Sequence, residues 1–120
     1  MRLLRAVPEG TDFVALSDQD DVWLPDKMAH GMRLLSQQPV DHAALVGGRS
    51  YICDAQLHNQ RMSSLPRRSP SFCHALVQNF AGGNTMMLNR AAIDLLRASA
   101  AEAGRVVVHD WWIYQILSGV

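Results

Sequence analysis

Hydrophobic and polar positions divide this chain into short alternating segments. Residues 1–7 read as the tail of a helix, and Pro8-Glu9-Gly10-Thr11-Asp12 as a turn punctuated by Pro and Gly. Phe13 to Ser17 is an apolar, β-prone run and predicts a strand. Pro25 fits the first turn of a helix, where its missing N–H costs nothing, and Pro39 stops that helix after about Gln37. Within it, Met28, Met32 and Leu35 fall at the i, i+4, i+7 spacing of one buried face. Ala43–Val46 and Arg49–Cys53 predict two strands on either side of a Gly47-Gly48 bend. Gln56–Ser71 is polar, contains Pro66 and Pro70, and predicts a long loop of the kind that often serves as a lid. Phe72–Phe80 predicts a helix and Asn84–Leu88 a strand. Asn89 would then cap a helix from Arg90 to about Ala103, closed by Gly104. Val106-Val107-Val108 predicts a short strand, and Asp110 the N-cap of a last helix through Leu117. No internal repeat is present. Alternating strands and helices predict an α/β sandwich.

Length and charge narrow this little. The 120 residues suffice for one small domain with one core, taken as residues 1–120. Eleven Lys and Arg balance eleven Asp and Glu, so no bulk attraction to nucleic acid follows. Arg67-Arg68, near Arg61, sits in the Ser/Pro-rich stretch and reads as a solvated loop. Cys53 and Cys73 read as small buried hydrophobes rather than a disulfide. A zinc site from Cys53, His58, Cys73 and His74 matches no standard spacing. No apolar run reaches the roughly 20 residues of a membrane span, and no signal-peptide core follows Met1. A soluble, intracellular chain is expected, reaching a membrane through a partner or a further segment.

The chemistry is concentrated after the first strand. There the apolar run gives way to Ser17-Asp18-Gln19-Asp20-Asp21-Val22-Trp23, three carboxylates within four positions. A strand that delivers Asp18 and Asp20 at its C-terminal end builds an oxygen-only pocket suited to Mg²⁺ or Mn²⁺ and, through the metal, to a diphosphate. Open α/β sheets bind ligands beyond the carboxyl ends of their strands. The competing reading is a strand-ending turn with exposed carboxylates, since Asp is favoured in turns.

Three segments, in order, resemble glycosyltransferase family 2, in particular its rhamnosyltransferase-like branch. Ser17 to Lys27 resembles the family's "DXD" segment, Gly82 to Arg90 its glycine-threonine acceptor segment, and His109-Asp110-Trp111-Trp112 its late catalytic-aspartate motif. The resemblance implies a partial GT-A fold, a Rossmann-like sandwich with a mixed sheet. Family members place a nucleotide-binding half before the DXD strand, whereas here that strand starts at Phe13, so a truncated domain with an exposed sheet edge is expected.

The resemblance also implies roles. Asp20 would be the main metal ligand, with Asp18 facing ribose or metal, and Asp21 would help bind the donor from behind them. Asp110 would be the general base in an inverting transfer, and its place at a helix start equally suits a cap. If His109 touches that carboxylate, it would lower the Asp110 pKa and add pH sensitivity. Gly82 and Gly83 would let backbone approach the acceptor, with Asn84 and Thr85 bonding its hydroxyls; a plain tight turn explains these four equally well. One of the adjacent Trp111 and Trp112 would pack into the core, and Trp111 would stack on a sugar. The implied activity moves a sugar, rhamnose at branch level, from a dTDP- or UDP-linked donor to a glycan or lipid-linked acceptor. Its implied setting is cell-surface polysaccharide synthesis in the cytoplasm, at the inner face of a bacterial plasma membrane.

Two alternatives accompany this reading. Asp18-Gln19-Asp20-Asp21-Val22 superficially fits the nucleophile motif of haloacid-dehalogenase-type phosphohydrolases, which would leave Gly82–Arg90 unexplained. A non-catalytic fragment that binds only metal or a partner chain is the other.

Overall fold

The computed structural model describes residues 2–100, 106 and 108–120. Its organising element is β5 (Met87–Asn89), buried at all three positions. Strand β1 (Phe13–Ala15) lies on one side of it, pairing Phe13 with Asn89 and Ala15 with Met87. On the other side β2 (Leu45–Val46) pairs Leu45 with Leu88. The sheet order is β1-β5-β2, with β1 and β2 outermost. Both ladders are antiparallel and no parallel pair occurs among the described residues, where the resemblance implies a mixed sheet.

Helices cover both faces, and the period-2 alternation of a strand explains why β5 is buried throughout. Met86 and Leu88 join Ile93 and Leu96 of α4 (Arg90–Ser99) and Ile113 of α5 (His109–Ser118) in the main core. Met87 points the other way, toward α2 (Lys27–Leu35). Gly31 of α2 comes so near that a Cβ there would lie 2.5 Å from the Met87 sulfur. Strand β1 supplies Val14 to the main core, and Leu16 follows just beyond the strand's end. The first helix, α1 (Arg2–Ala6), docks on α4 through buried Leu4 and through Arg97, whose guanidinium donates to the carbonyls of Leu4 (3.0 Å) and Val7. The α/β architecture expected from the alternation of segments is what the chain adopts.

Several local expectations need correction. On α2 the buried positions are Gly31 and Leu35, while Met32 is exposed, because the helix meets the sheet through its smallest residue rather than its methionines. The polar stretch after residue 55 is not all loop: β3 (Tyr51–Ile52) and β4 (Arg61–Met62) form an antiparallel hairpin. Its turn is held by the Asp54 carboxylate, which accepts from the backbone N–H of Gln56 and His58 and from the Asn59 amide. Cys53 and Cys73 are both exposed, not buried, since the hairpin has no core face and Cys73 sits on the outer side of α3 (Phe72–Ala75). That helix is one turn long rather than extending to Phe80. The strand expected from Asn84 begins only at Met87, because Gly83–Thr85 winds into a 3₁₀ turn first. Asn89 caps α4 as expected, accepting from the Ala92 N–H at 3.0 Å. The expected Gly104 cap, the end of that helix beyond residue 100 and the 106–108 strand fall on or beside residues outside the described ones.

Candidate functional site

Strand β1 ends at Ala15, and the chain leaves the sheet with Leu16 still bonded to the Met86 carbonyl (3.0 Å). That bond fixes where the acidic segment emerges. Asp18 and Asp20 are exposed, and their carboxylates take part in no hydrogen bond or ion pair among the described residues. Asp21 behaves differently. Its Oδ2 accepts from the Asn84 side-chain amide, 63 residues away in sequence. The three carboxylates therefore do not converge as one cage, and among the described residues no group of three or more His, Cys, Asp or Glu is arranged to hold a metal. Asp18 and Asp20 offer the hard oxygen donors that Mg²⁺ or Mn²⁺ prefers, with the remaining positions open to water and ligand oxygens.

Lys27, at the start of α2, completes the link. Its ammonium donates to the Asn84 carbonyl at 2.6 Å and sits 3.6 Å from the centroid of the Trp23 ring. Burial lowers the Lys27 pKa below its ordinary value, and the Asp21 carboxylate pulls it partly back up. The adjoining Trp23 indole N–H is buried without a hydrogen-bond partner among the described residues. Asn84 is thus gripped twice from the acidic segment, once by its side chain and once by its carbonyl.

The same 3₁₀ turn is gripped from the other side by α5. Asp110 Oδ2 accepts from the Gly83 N–H (3.1 Å) and from the Asn79 amide (3.0 Å), and its Oδ1 accepts from the Trp111 N–H (2.8 Å). A Cβ on Gly83 would stand 3.1 Å from the Asp110 Cβ, so a side chain there would push the carboxylate away. Asp110 is not the N-cap of α5: the helix begins at His109 with Val108 as cap residue, and Asp110 lies in the first turn. From there its Oδ2 reaches backward to a different segment while its Oδ1 takes one first-turn N–H of its own helix. His109 is exposed and forms no ion pair among the described residues.

The remaining expected residues fall around this junction. Thr85 Oγ1 donates to the Gly82 carbonyl (2.8 Å) and accepts from the Gly48 N–H (3.2 Å), so it closes the turn and ties it to the bend after β2. Gly82 lines a cleft with Gly47 and Asn79. Trp111 does not line that cleft; its indole N–H donates to the Ala75 carbonyl at 2.6 Å, fixing the ring against α3. Trp112 is the one that packs on the core. Lys27 and Asn79 are the participants that motif reasoning passed over. Lys27 sits one turn after Trp23, a spacing that hints at their contact, whereas nothing around Asn79 signals its bond to Asp110.

Comparisons with protein-family models, with curated proteins and with solved structures found no match to this chain.

Proposed function

We infer that this chain carries the chemical centre of an inverting glycosyltransferase of the family 2 kind, within a partial GT-A fold. The observation that supports it most is the meeting of three sequence-distant segments on one turn. The acidic segment reaches Asn84 through Asp21 and Lys27, and the helix-borne Asp110 reaches Gly83, the adjacent residue. Each segment is one that the family resemblance had singled out independently. A structural turn needs no second carboxylate from a segment 27 residues away to hold it.

In this reading Asp18 and Asp20 hold a divalent metal. When bound, that ion neutralises charge building on the diphosphate leaving group. Asp21 and Lys27 fix the turn against the donor side, and Lys27 adds a positive charge beside it. Asp110 takes the proton of the acceptor hydroxyl. As it does so, the acceptor oxygen bonds to the anomeric carbon and the bond from that carbon to the diphosphate breaks, its electrons leaving with the diphosphate. Attack opposite the leaving group inverts configuration. The bonds from Asn79, Gly83 and Trp111 fix the carboxylate's direction without using all its lone pairs. The nucleotide sugar is dTDP- or UDP-linked, rhamnose by branch resemblance, and the acceptor a glycan or lipid-linked saccharide of cell-surface polysaccharide.

Calorimetric titration of the chain with UDP and dTDP, with and without Mn²⁺, tests the donor side. Mn²⁺-dependent binding that Asp20→Asn abolishes is the expected result. Nucleotide binding indifferent to Mn²⁺ and to Asp20→Asn would overturn the assignment of these carboxylates.

A further inference from the structure

Beside the Asp110 junction lies a cleft of about 620 Å³. That size falls within the roughly 300–1,000 Å³ of small-molecule sites. One wall is the base of the β3–β4 hairpin, with Ser50, Ser63 and Ser64; the other is the segment Gln78–Gly82 that leads into the 3₁₀ turn. Gly47 lets the two walls meet at the floor: a Cβ there would come within 2.6 Å of the Phe80 ring. Hydroxyls and amides facing each other across an aromatic and proline-lined space suit a polyol with apolar C–H faces.

Charge adds a second constraint. Among the described residues Arg49 is the one charged side chain lining the cleft, and no carboxylate lines it. Its Nε donates to the Ser63 carbonyl at 2.7 Å, which fixes the stem, and its guanidinium forms no ion pair among the described residues. The terminal N–H groups of an arginine held this way are set for a forked bond to phosphate or carboxylate. At the far wall, Asn79 lines the cleft and also donates to Asp110. An occupant would lie one hydrogen bond from that carboxylate.

We propose that this cleft is the acceptor site and that it takes a sugar bearing an anionic group, a sugar phosphate or a uronate, with the anion on Arg49 and the reacting hydroxyl reaching out of the cleft past Asn79 to Asp110. This rests on the glycosyltransferase reading for the word acceptor, but the binding itself does not need the donor site. The test is NMR titration of the chain with glucose 1-phosphate, methyl glucuronoside, methyl glucoside and inorganic phosphate. At least one anionic sugar is expected to bind tenfold or more tighter than methyl glucoside and than inorganic phosphate, and comparison of the two tells phosphate from carboxylate. Arg49→Gln should erase the advantage over methyl glucoside. Ser64→Trp, which fills the cleft from the hairpin side and leaves Arg49 in place, should abolish binding of every sugar. Equal affinity for charged and neutral sugars, or charged-sugar binding that survives both variants, would overturn the proposal. Asp20→Asn should leave sugar binding unchanged, so failure at the metal site and failure at this cleft are told apart.

Discussion

The two carboxylate-bearing ends of the site are built in opposite ways. Asp18 and Asp20 stand exposed, with no hydrogen-bond partner for either carboxylate among the described residues. Asp110 is half-buried and accepts three hydrogen bonds from three different residues. A group left without partners costs the fold nothing when it binds a ligand, because it gives up only water. A group held by several partners contributes to the fold and is pre-oriented, so it acts without first being ordered. The difference teaches that mutation should separate them cleanly: ligand binding fails at one end, stability at the other.

The largest expected effect is on that separation. Asp110→Ala should lower the unfolding free energy by about 2–3 kcal/mol, since it leaves the Gly83 N–H and the Asn79 amide without their charged acceptor. Asp20→Asn should change it by no more than about 0.5 kcal/mol, as befits an exposed side chain without partners. Urea unfolding of both variants measures this, and equal losses would erase the contrast. Asp110→Asn sharpens it further. The carboxamide oxygen can keep the bonds to Gly83 and Asn79 while its NH₂ loses only the Trp111 N–H, so about 1 kcal/mol is expected. In an assay with donor and acceptor, the same variant should retain donor binding and lose transfer by roughly 10²-fold or more.

Next in size is the turn between the two ends. Gly83→Ala would bring a methyl to 3.1 Å from the Asp110 Cβ and 3.5 Å from its Oδ2. A loss of about 1 kcal/mol is expected from that crowding. Asn84→Ala acts from the opposite side, removing the bond to Asp21 and keeping the backbone carbonyl that Lys27 uses. Its cost should be smaller, about 0.5–1 kcal/mol, because Asp21 is exposed and water replaces the lost donor. Thermal unfolding of the two single variants and their double ranks them. A double loss equal to the sum would mean that the two ends are held independently; a smaller one would mean that the turn is a shared element.

The sequence pattern foretells more of the frame than of the site. The strand from Phe13, the Asn89 cap and the helices after Lys27, Asn89 and Val108 follow from apolar runs and capping residues, which act over a few positions. What it misreads lies where local signals are weak or lost. Arg61–Met62 pairs with the expected strand at Tyr51–Ile52, and its residues are exposed, so no buried face marks it as a strand. The helix from Phe72 stops early, and Asn79, which a longer helix would have included, lines the cleft and bonds Asp110. The site residues themselves were marked by motif, but their partnerships were not: Asp21 with Asn84 and Lys27 with the Asn84 carbonyl join positions 57 to 63 residues apart, and no local pattern encodes such a meeting.

Lys27 supplies the smallest and most specific test of the contrast, because burial perturbs its titration. Burial lowers its pKa from 10.5, and Asp21 raises it partway back. A lysine with a folded pKa below its unfolded one holds its proton less tightly in the folded state. Below the folded value both states carry the charge, and the fold bears the full cost of desolvating it. Between the folded value and 10.5 the unfolded chain binds more protons, so stability from this group rises with pH. Lys27→Met keeps much of the side-chain volume and removes the titration. The difference in unfolding free energy, wild type minus Lys27→Met, should therefore grow as pH is raised from 7 toward 10.5, while titrations common to both proteins cancel. A difference that stays flat, or that shrinks, would mean that Asp21 outweighs burial at Lys27. The donor side would then be a paired, pre-formed structure like the Asp110 end rather than an open one awaiting a ligand.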